Sequence, residues 1–217
     1  FKAKDQDFYF LAWTTTPWTL PSNTGLCVNP DLDYAKVKAA DGYTYVMACS
    51  LLDKVLGPLA KDGMPAYEIL ETYKGTDLVG IDYEPLYACA AEAAAKQHKR
   101  AHFVIADGYV TADDGTGIVH IAPAFGEDDA RVGRENGFPL IKFVDEKGVM
   151  TAETPFAGMR CKPTEKEMAA GAISADPEVL KDLSARKLLF DAPKFTHSYP
   201  HCWRCDTPLI YYARESW

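Results

Sequence analysis

Asp41-Gly42 stands between two runs of alternating residues, 34–39 and 43–48. An Asp-Gly pair supplies the positive φ that a two-residue turn needs, so these runs are expected to fold back as an antiparallel hairpin. Other strand-like pieces surround it. Residues 8–14, FYFLAWT, read as a buried strand ended by the turn chemistry of Pro17 and Pro21. TTTPWTLPSNTG follows as a polar loop, then LCV as a short strand. Tyr67–Tyr73, Leu78–Asp82, HFVIAD and GTGIVHIAP are further strands, and FPLIKFVDEKG is a strand and turn. Helical spacing marks SLLDKVLG, with Ser50 as cap and Gly57-Pro58 as stop, and the Ala-rich stretch 87–100. DDARVGRENG follows with Glu127, Asp128 and Asp129 in its first turn and Gly137 beyond its end. Two more helices are expected near 163–170 and 176–188, the second with Asp176 as cap and Pro177 at its first position. Such irregular alternation argues against a doubly wound parallel sheet. It favours a mixed α/β body with a curled, barrel-like sheet and peripheral helices.

The chain has 217 residues, 47% of them apolar, enough for a real hydrophobic core. Its net charge of −8 argues against autonomous binding of long nucleic acid, which draws on a basic face, but not against gripping one nucleotide at a strand's end. No apolar run approaches the roughly 18 residues that cross a bilayer, and FKAKDQDFYF lacks the order of a signal peptide. With no initiator Met and an end that stops inside an apolar pattern, YYARESW, the chain is expected to be a piece of a longer one. Cys27, Cys49, Cys89 and Cys161 stand singly and read as reduced core or near-surface residues, so a cytoplasmic location is expected. Cys202-x-x-Cys205 is half of a tetrahedral zinc site. His197 and His201 are candidate companions, but the remaining ligands are expected outside this chain.

Two polar segments can carry chemistry. In Thr14-Thr15-Thr16-Pro17-Trp18-Thr19-Leu20-Pro21-Ser22-Asn23, a threonine triplet sits between a strand and a loop restrained by two prolines. Hydroxyls held in fixed directions, with the Asn23 amide, suit the orientation of a water or a polar ligand. Trp13 and Trp18 offer an aromatic wall. In Gly115-Thr116-Gly117-Ile118-Val119-His120-Ile121-Ala122-Pro123-Ala124-Phe125-Gly126, a Pro-Ala-Phe-Gly bend precedes the acidic helix start. Asp128 and Asp129 there either complement the helix dipole or hold a ligand's ammonium. No Gly-Lys-Ser/Thr follows the Gly-Thr-Gly, and no Gly-x-Ser-x-Gly elbow, dinucleotide fingerprint or kinase motif set occurs.

WTTTPWTLPSN, GTGIVHIAPAFGEDD and SYPHCWRCDTPLIYYARESW, in this order, closely resemble the editing (CP1) insertion of isoleucyl-tRNA synthetase, a class I aminoacyl-tRNA synthetase. The resemblance runs from Phe8 to Trp217. The valyl and leucyl relatives typically carry Thr-Thr-Arg-Pro where this chain has Thr14-Thr15-Thr16-Pro17, and typically lack His at the place of His120.

The resemblance implies a β-barrel-like editing domain over 1–195 and a return ribbon over 196–217 that carries half a zinc knuckle towards an absent catalytic body. It implies hydrolysis of valine wrongly esterified to tRNA(Ile), and of valyl-adenylate, by water attack with isoleucine excluded sterically. Thr14, Thr15 and Thr16 would line the pocket, with Thr15 and Thr16 nearest the side chain and the water. Asn23 would support that loop or the water, and Trp18 would wall the pocket. His120 would reject isoleucine, and Asp129 would bind the α-ammonium, with Asp128 its alternate. The bend containing Ala124 and Phe125 would hold the terminal adenosine; many family members have His where Phe125 stands. The implied partners are the tRNA(Ile) 3′ end carrying valine and the catalytic and anticodon-binding parts of the same chain, with a monomer expected. No cofactor is expected in this domain; zinc, ATP and Mg2+ are expected only of the full-length enzyme. The rival reading is a non-catalytic module that docks the tRNA 3′ end.

Overall fold

The computed structural model describes residues 1–61, 63–193 and 199–214. Its strands are β1 Tyr9–Phe10, β2 Gly25–Val28, β3 Asp33–Ala39, β4 Thr44–Ala48, β5 Tyr67–Lys74, β6 Phe103–Ala106 and β7 Ile118–Ile121. The helices are α1 Leu52–Leu56, α2 Ala88–Lys96, α3 Glu127–Glu135, α4 Glu165–Ala169 and α5 Ala175–Ala185. The strands form two sheets, ordered β1-β4-β3-β5 and β6-β2-β7. The mixed α/β class therefore stands, but the described strands do not close into one barrel.

The Asp41-Gly42 hairpin forms as expected. Gly42 takes φ +92, and Tyr34 opposite Ala48 sets the β3–β4 register. Alternation along β3 buries Tyr34, Ala35, Val37 and Ala39, and these join Phe8, Phe10, Met47 and Leu56 in the largest apolar cluster. In the second sheet β2 is buried along its whole length, parallel to β6 and antiparallel to β7. Leu26 and Ile118 face the first cluster, while Cys27 and Ile121 face Val132 of α3 and Phe138.

Several expected boundaries shift for physical reasons. The strand over 8–14 shrinks to Tyr9–Phe10 because the segment changes sheets. Leu11 N–H still bonds Val46 O (3.1 Å), whereas Trp13 N–H bonds Ile118 O (3.0 Å) beside β7. The TTTPWTLPSNTG loop is instead a buried 3-10 helix over Pro17–Ser22, entered through a proline that lacks the amide such a start leaves unpaired. Ser50 is exposed and caps nothing, since a 3-10 turn over Cys49–Leu51 leads into α1. Leu78–Asp82 is no strand: the 3-10 turn Gly75–Leu78 and Gly80 at φ +86 bend it, leaving only Asp82 bridged to Phe103. FPLIKFVDEKG keeps just the Val144–Met150 bridge, because the Asp145 carboxylate accepts from Lys147 and Val149 amides and closes a turn. Thr164, in a capping box with Glu167, starts α4.

Asp176 does not cap α5, whose N-cap is Ser174 and whose third residue is Pro177. Its carboxylate instead accepts from Trp18 N–H (2.9 Å) and Lys162 Nζ (2.5 Å), tying the helix start to the 3-10 segment 158 residues away. The boundary expected between 195 and 196 lies outside the described residues, as does His197. No described helix is long and apolar enough to cross a membrane.

Candidate active site

A cavity of about 530 Å3 opens where the Thr-rich segment, β7 and α5 meet. Thr14, Thr15, Pro17 and Leu20 come from the Thr-rich segment, His120 from β7, and Leu180 and Leu183 from α5. Residues 188–193, the Lys54–Asp114 ion pair (2.7 Å), and apolar side chains such as Phe10, Val55 and Leu86 also line it.

His120 is buried, and its Nε2 lies 3.0 Å from Thr19 Oγ1. That hydroxyl donates to Thr16 O at 2.8 Å, and the Thr16 and Thr19 hydroxyl oxygens stand 3.4 Å apart. The ladder follows from the 3-10 geometry, in which residues i and i+3 eclipse. Burial pushes the imidazole down to about 4, so the ring is neutral near pH 7. Its Nδ1 is buried with no hydrogen-bond partner among the described residues.

Asp129 does not line this cavity, but it is tied to the same strand, β7. Along a strand, alternate residues direct their backbone polar groups to the same edge. Ile121 O accepts from Thr24 on the β2 side, so Ile118, His120 and Ala122 present theirs on the opposite edge. Trp13 N–H takes Ile118 O on that edge, and the Asp129 carboxylate takes Ala122 N–H at 2.9 Å. The Thr-rich segment and Asp129 therefore meet the same edge of β7, at Ile118 and Ala122 respectively. Burial pushes the Asp129 carboxyl up to about 6; neighbouring Asp128 adds to this and the Ala122 amide opposes it.

The remaining expected residues lie elsewhere. Thr16 sits behind the lining and shapes the hydroxyl ladder. Asn23 is buried and fully engaged: Nδ2 donates to Gly25 O (2.8 Å), while Tyr83 OH donates to Oδ1 (2.6 Å). It supports the loop and does not face the cavity. Trp18 packs edge-on against Phe125, with centroids 5.1 Å apart, in an apolar cluster with Ala124. The bend's backbone is partly occupied, since Phe125 N–H bonds Ala122 O and Ala213 N–H bonds Ala124 O, both at 2.9 Å. Asp128 is exposed and pairs with Arg131 (3.4 Å).

Thr19, Lys54, Asp114 and residues 188–193 are among the site positions that sequence reasoning missed. Only Thr19 left a readable signal, its i+3 spacing from Thr16. For zinc, Cys202 is half-buried and Cys205 exposed on one turn, where Thr207 Oγ1 (3.1 Å) lowers the Cys205 thiol below its usual range. Among the described residues no group of three or more His, Cys, Asp or Glu could hold a metal, so these two thiols alone do not make a tetrahedral site.

No family model matches the chain. The cytosolic leucyl-tRNA synthetase editing domain of P. falciparum is 19% identical, with a TM-score of 0.46, covering 61% of this chain and 48% of that one. Sequence likeness reaches further. Isoleucine–tRNA ligases of Clostridium kluyveri, 42% identical over 218 residues, and Clostridium novyi, 43% over 219, match 100% of this chain. That of Bacillus thuringiensis is 43% identical over 218 residues, again with 100% of this chain matched. The chain spans about a fifth, 19%, of the length of each of these curated relatives. Matched from end to end at that level, the chain belongs to the isoleucine–tRNA ligase family as one segment of such a protein.

Proposed function

We propose that this segment is the editing domain of an isoleucine–tRNA ligase and hydrolyses valine from mischarged tRNA(Ile). One observation carries the reading: a cavity wall that combines Thr14, Thr15 and Leu20 with a buried neutral imidazole, on the β7 edge that also holds the Asp129 carboxylate. The need for a second site is physical. One methylene in an apolar pocket is worth only about 1–3 kcal/mol, a limit for which the isoleucine–valine pair is the standard illustration. A pocket that rejects the larger side chain by overlap is not bound by that limit.

No covalent nucleophile is required. An aminoacyl ester is already activated, so positioning a water and stabilising the developing oxyanion suffice. Thr15 at the mouth and Thr14 beside it offer hydroxyls to the reacting end, while Leu20 and the His120 ring bound the space for the side chain. Asp129 takes the α-ammonium: a cation beside a carboxyl that burial pushes up to about 6 restores its charged form. The tRNA(Ile) 3′ end and the remainder of the ligase are the partners on this reading.

The test is deacylation of valyl-tRNA(Ile) beside isoleucyl-tRNA(Ile) at low salt, with and without a chelator. Selective, chelator-insensitive loss of valine is expected. Equal loss of both amino acids removes the sieve, and tRNA binding with neither hydrolysed makes the segment a docking module. Loss abolished by the chelator assigns the chemistry to a metal.

A further inference from the structure

The cavity is larger than an amino-acid side chain requires. At about 530 Å3 it falls among pockets that take a whole small ligand, roughly 300–1,000 Å3, and Phe10, Leu11, Val55 and Phe190 extend its apolar wall beyond the threonines. The bend expected to hold an adenosine is partly filled, since Trp18 packs on Phe125 and Ala213 N–H takes Ala124 O. A terminal adenosine therefore finds its room inside the cavity. Its amino acid is esterified to the ribose 2′ or 3′ oxygen and its phosphate sits on the 5′ carbon. With the acyl group at Thr14 and Thr15, the phosphate belongs at the solvent-facing rim, because burying an unpaired charge is costly. Among the described lining residues Lys54 is the one lysine or arginine, against two carboxylates, Asp114 and Asp191, and the His120 ring is neutral near pH 7. The backbone beneath Lys54 is fixed, as Leu52 and Leu56 of α1 are buried in the first apolar cluster. Its ammonium is held loosely: Nζ is 2.7 Å from Asp114 Oδ1 and 3.4 Å from Asp113 O, and the paired side chains are 56% and 60% exposed. An ion pair so exposed contributes little in water and is readily exchanged.

We propose that the Lys54–Asp114 pair at the cavity rim is an exchangeable phosphate subsite: Lys54 leaves Asp114 to take the last phosphodiester of an RNA strand, and the Asp114 carboxylate competes with that phosphate for the same ammonium. The identity of the ligand rests on the hydrolytic reading above. In a chain of net charge −8 the rim offers a polyanion this cation and two carboxylates, so recognition of the strand end turns on which anion Lys54 holds. The two side chains then act on one ligand with opposite sign. An ion pair that merely braced α1 against the turn at 113–115 would not do so, because losing either partner would have the same effect.

Two measurements on this chain test it. The first is calorimetric titration at low salt with two stable probes: adenosine carrying valine as an amide at the ribose 3′ position, and the same molecule with a 5′ methyl phosphate that mimics the diester. The wild type is expected to bind the phosphorylated probe about fivefold more tightly. Lys54→Gln is expected to bind the two within about twofold of each other, whereas Asp114→Asn should widen the wild-type preference about threefold. The second is hydrolysis of valyl-tRNA(Ile), where Lys54→Gln is expected to raise KM about fivefold at low salt and to converge with wild type at high salt. Equal binding of both probes by the wild type overturns the subsite and leaves the hydrolytic reading standing. A folded wild type that binds neither probe overturns both. A preference that falls in Asp114→Asn as well as in Lys54→Gln overturns the exchange and makes the pair a brace of the rim. An unaltered KM in Lys54→Gln overturns the assignment of the phosphate to the RNA strand.

Discussion

The two sheets treat their buried polar groups differently. In β1-β4-β3-β5 the most deeply buried hydroxyl, on Tyr34, donates to Gly117 O (2.7 Å) and accepts from Asn29 N–H (2.8 Å). Tyr45 likewise donates to Asp41 (2.8 Å). None of the buried side-chain atoms without a partner among the described residues lies in that sheet. The end of β6-β2-β7 contrasts with it. His120 Nδ1 on β7, and Trp18 Nε1 and Ser22 Oγ on the adjoining 3-10 helix, are buried and unpaired. Packing differs as well: β5, at the edge of the first sheet, leaves Ile69 and Leu70 about half exposed, whereas β2 is buried along its whole length. The first sheet satisfies its own polar groups and acts as scaffold, while unmet groups stand on and beside the second, one of them on His120, which lines the cavity. His102 Nε2, Tyr109 Oη and Thr151 Oγ1 are also unpaired among the described residues, and of all these groups only that of His120 belongs to a residue that lines the cavity.

The sharpest way to break this comparison is to change one group at each sheet. Asp129→Ala is expected to lower valyl-tRNA(Ile) hydrolysis by about 10²-fold or more, the cost of losing one partner of a buried charge pair. Its thermal stability should change little, because removing a carboxyl that burial and Asp128 push up offsets the Ala122 amide bond it gives up. Near-normal hydrolysis by that variant removes Asp129 from the mechanism. Tyr34→Phe should show the reverse profile. It strands the Gly117 carbonyl and the Asn29 amide, so denaturant unfolding should report a loss of about 3 kcal/mol. Hydrolysis per folded molecule should be unchanged; a loss of kcat in fully folded Tyr34→Phe would make the scaffold sheet part of the site.

The sequence made the scaffold more readable than the site. The β3–β4 hairpin follows from Asp41-Gly42 and a period of two, and α3 from its acidic first turn and Gly137, because these signals are local. The Thr triplet and His120 were also visible as a pair of polar segments, and Thr14, Thr15 and His120 line the cavity. What was not visible depends on contacts distant in sequence. Thr19 meets His120 across 101 residues and Asp176 meets Trp18 across 158, and neither contact leaves a mark in a local pattern. Asn23 was open to two readings, support of the loop or of a water, and its amide, engaged by Gly25 and Tyr83 beside a buried 3-10 helix, serves the loop. Trp18 was read as a pocket wall and Phe125 as part of a bend holding an adenosine, and their edge-on contact packs both into an apolar cluster with Ala124.

The smallest expected effect sharpens the comparison within the site itself, through two buried groups whose titrations oppose each other. Burial lowers His120 from 6.5 to about 4, with only the neutral Thr19 hydroxyl bonded to the ring. Between those values the unfolded chain binds a proton that the folded chain does not, so this contribution is present above about pH 6.5 and lost as pH falls towards 4. Asp129 runs the other way. Its folded value of about 6 lies above the ordinary 3.8, so the folded chain holds the extra proton and stability is lost as pH rises from about 4 through 6. Each displacement corresponds to at most about 3 kcal/mol, so between about pH 4 and pH 6 the two largely cancel. Single variants should uncover each slope. Relative to wild type, Asp129→Asn should gain stability as pH rises across that window, and His120→Gln should lose it. Urea unfolding from about pH 4 to pH 7, read as the difference from wild type so that the other titrating groups cancel, measures both. If the two difference curves are flat, the burial that distinguishes this end of β7 from the satisfied sheet is not felt by its charges, and the contrast between the sheets reduces to packing.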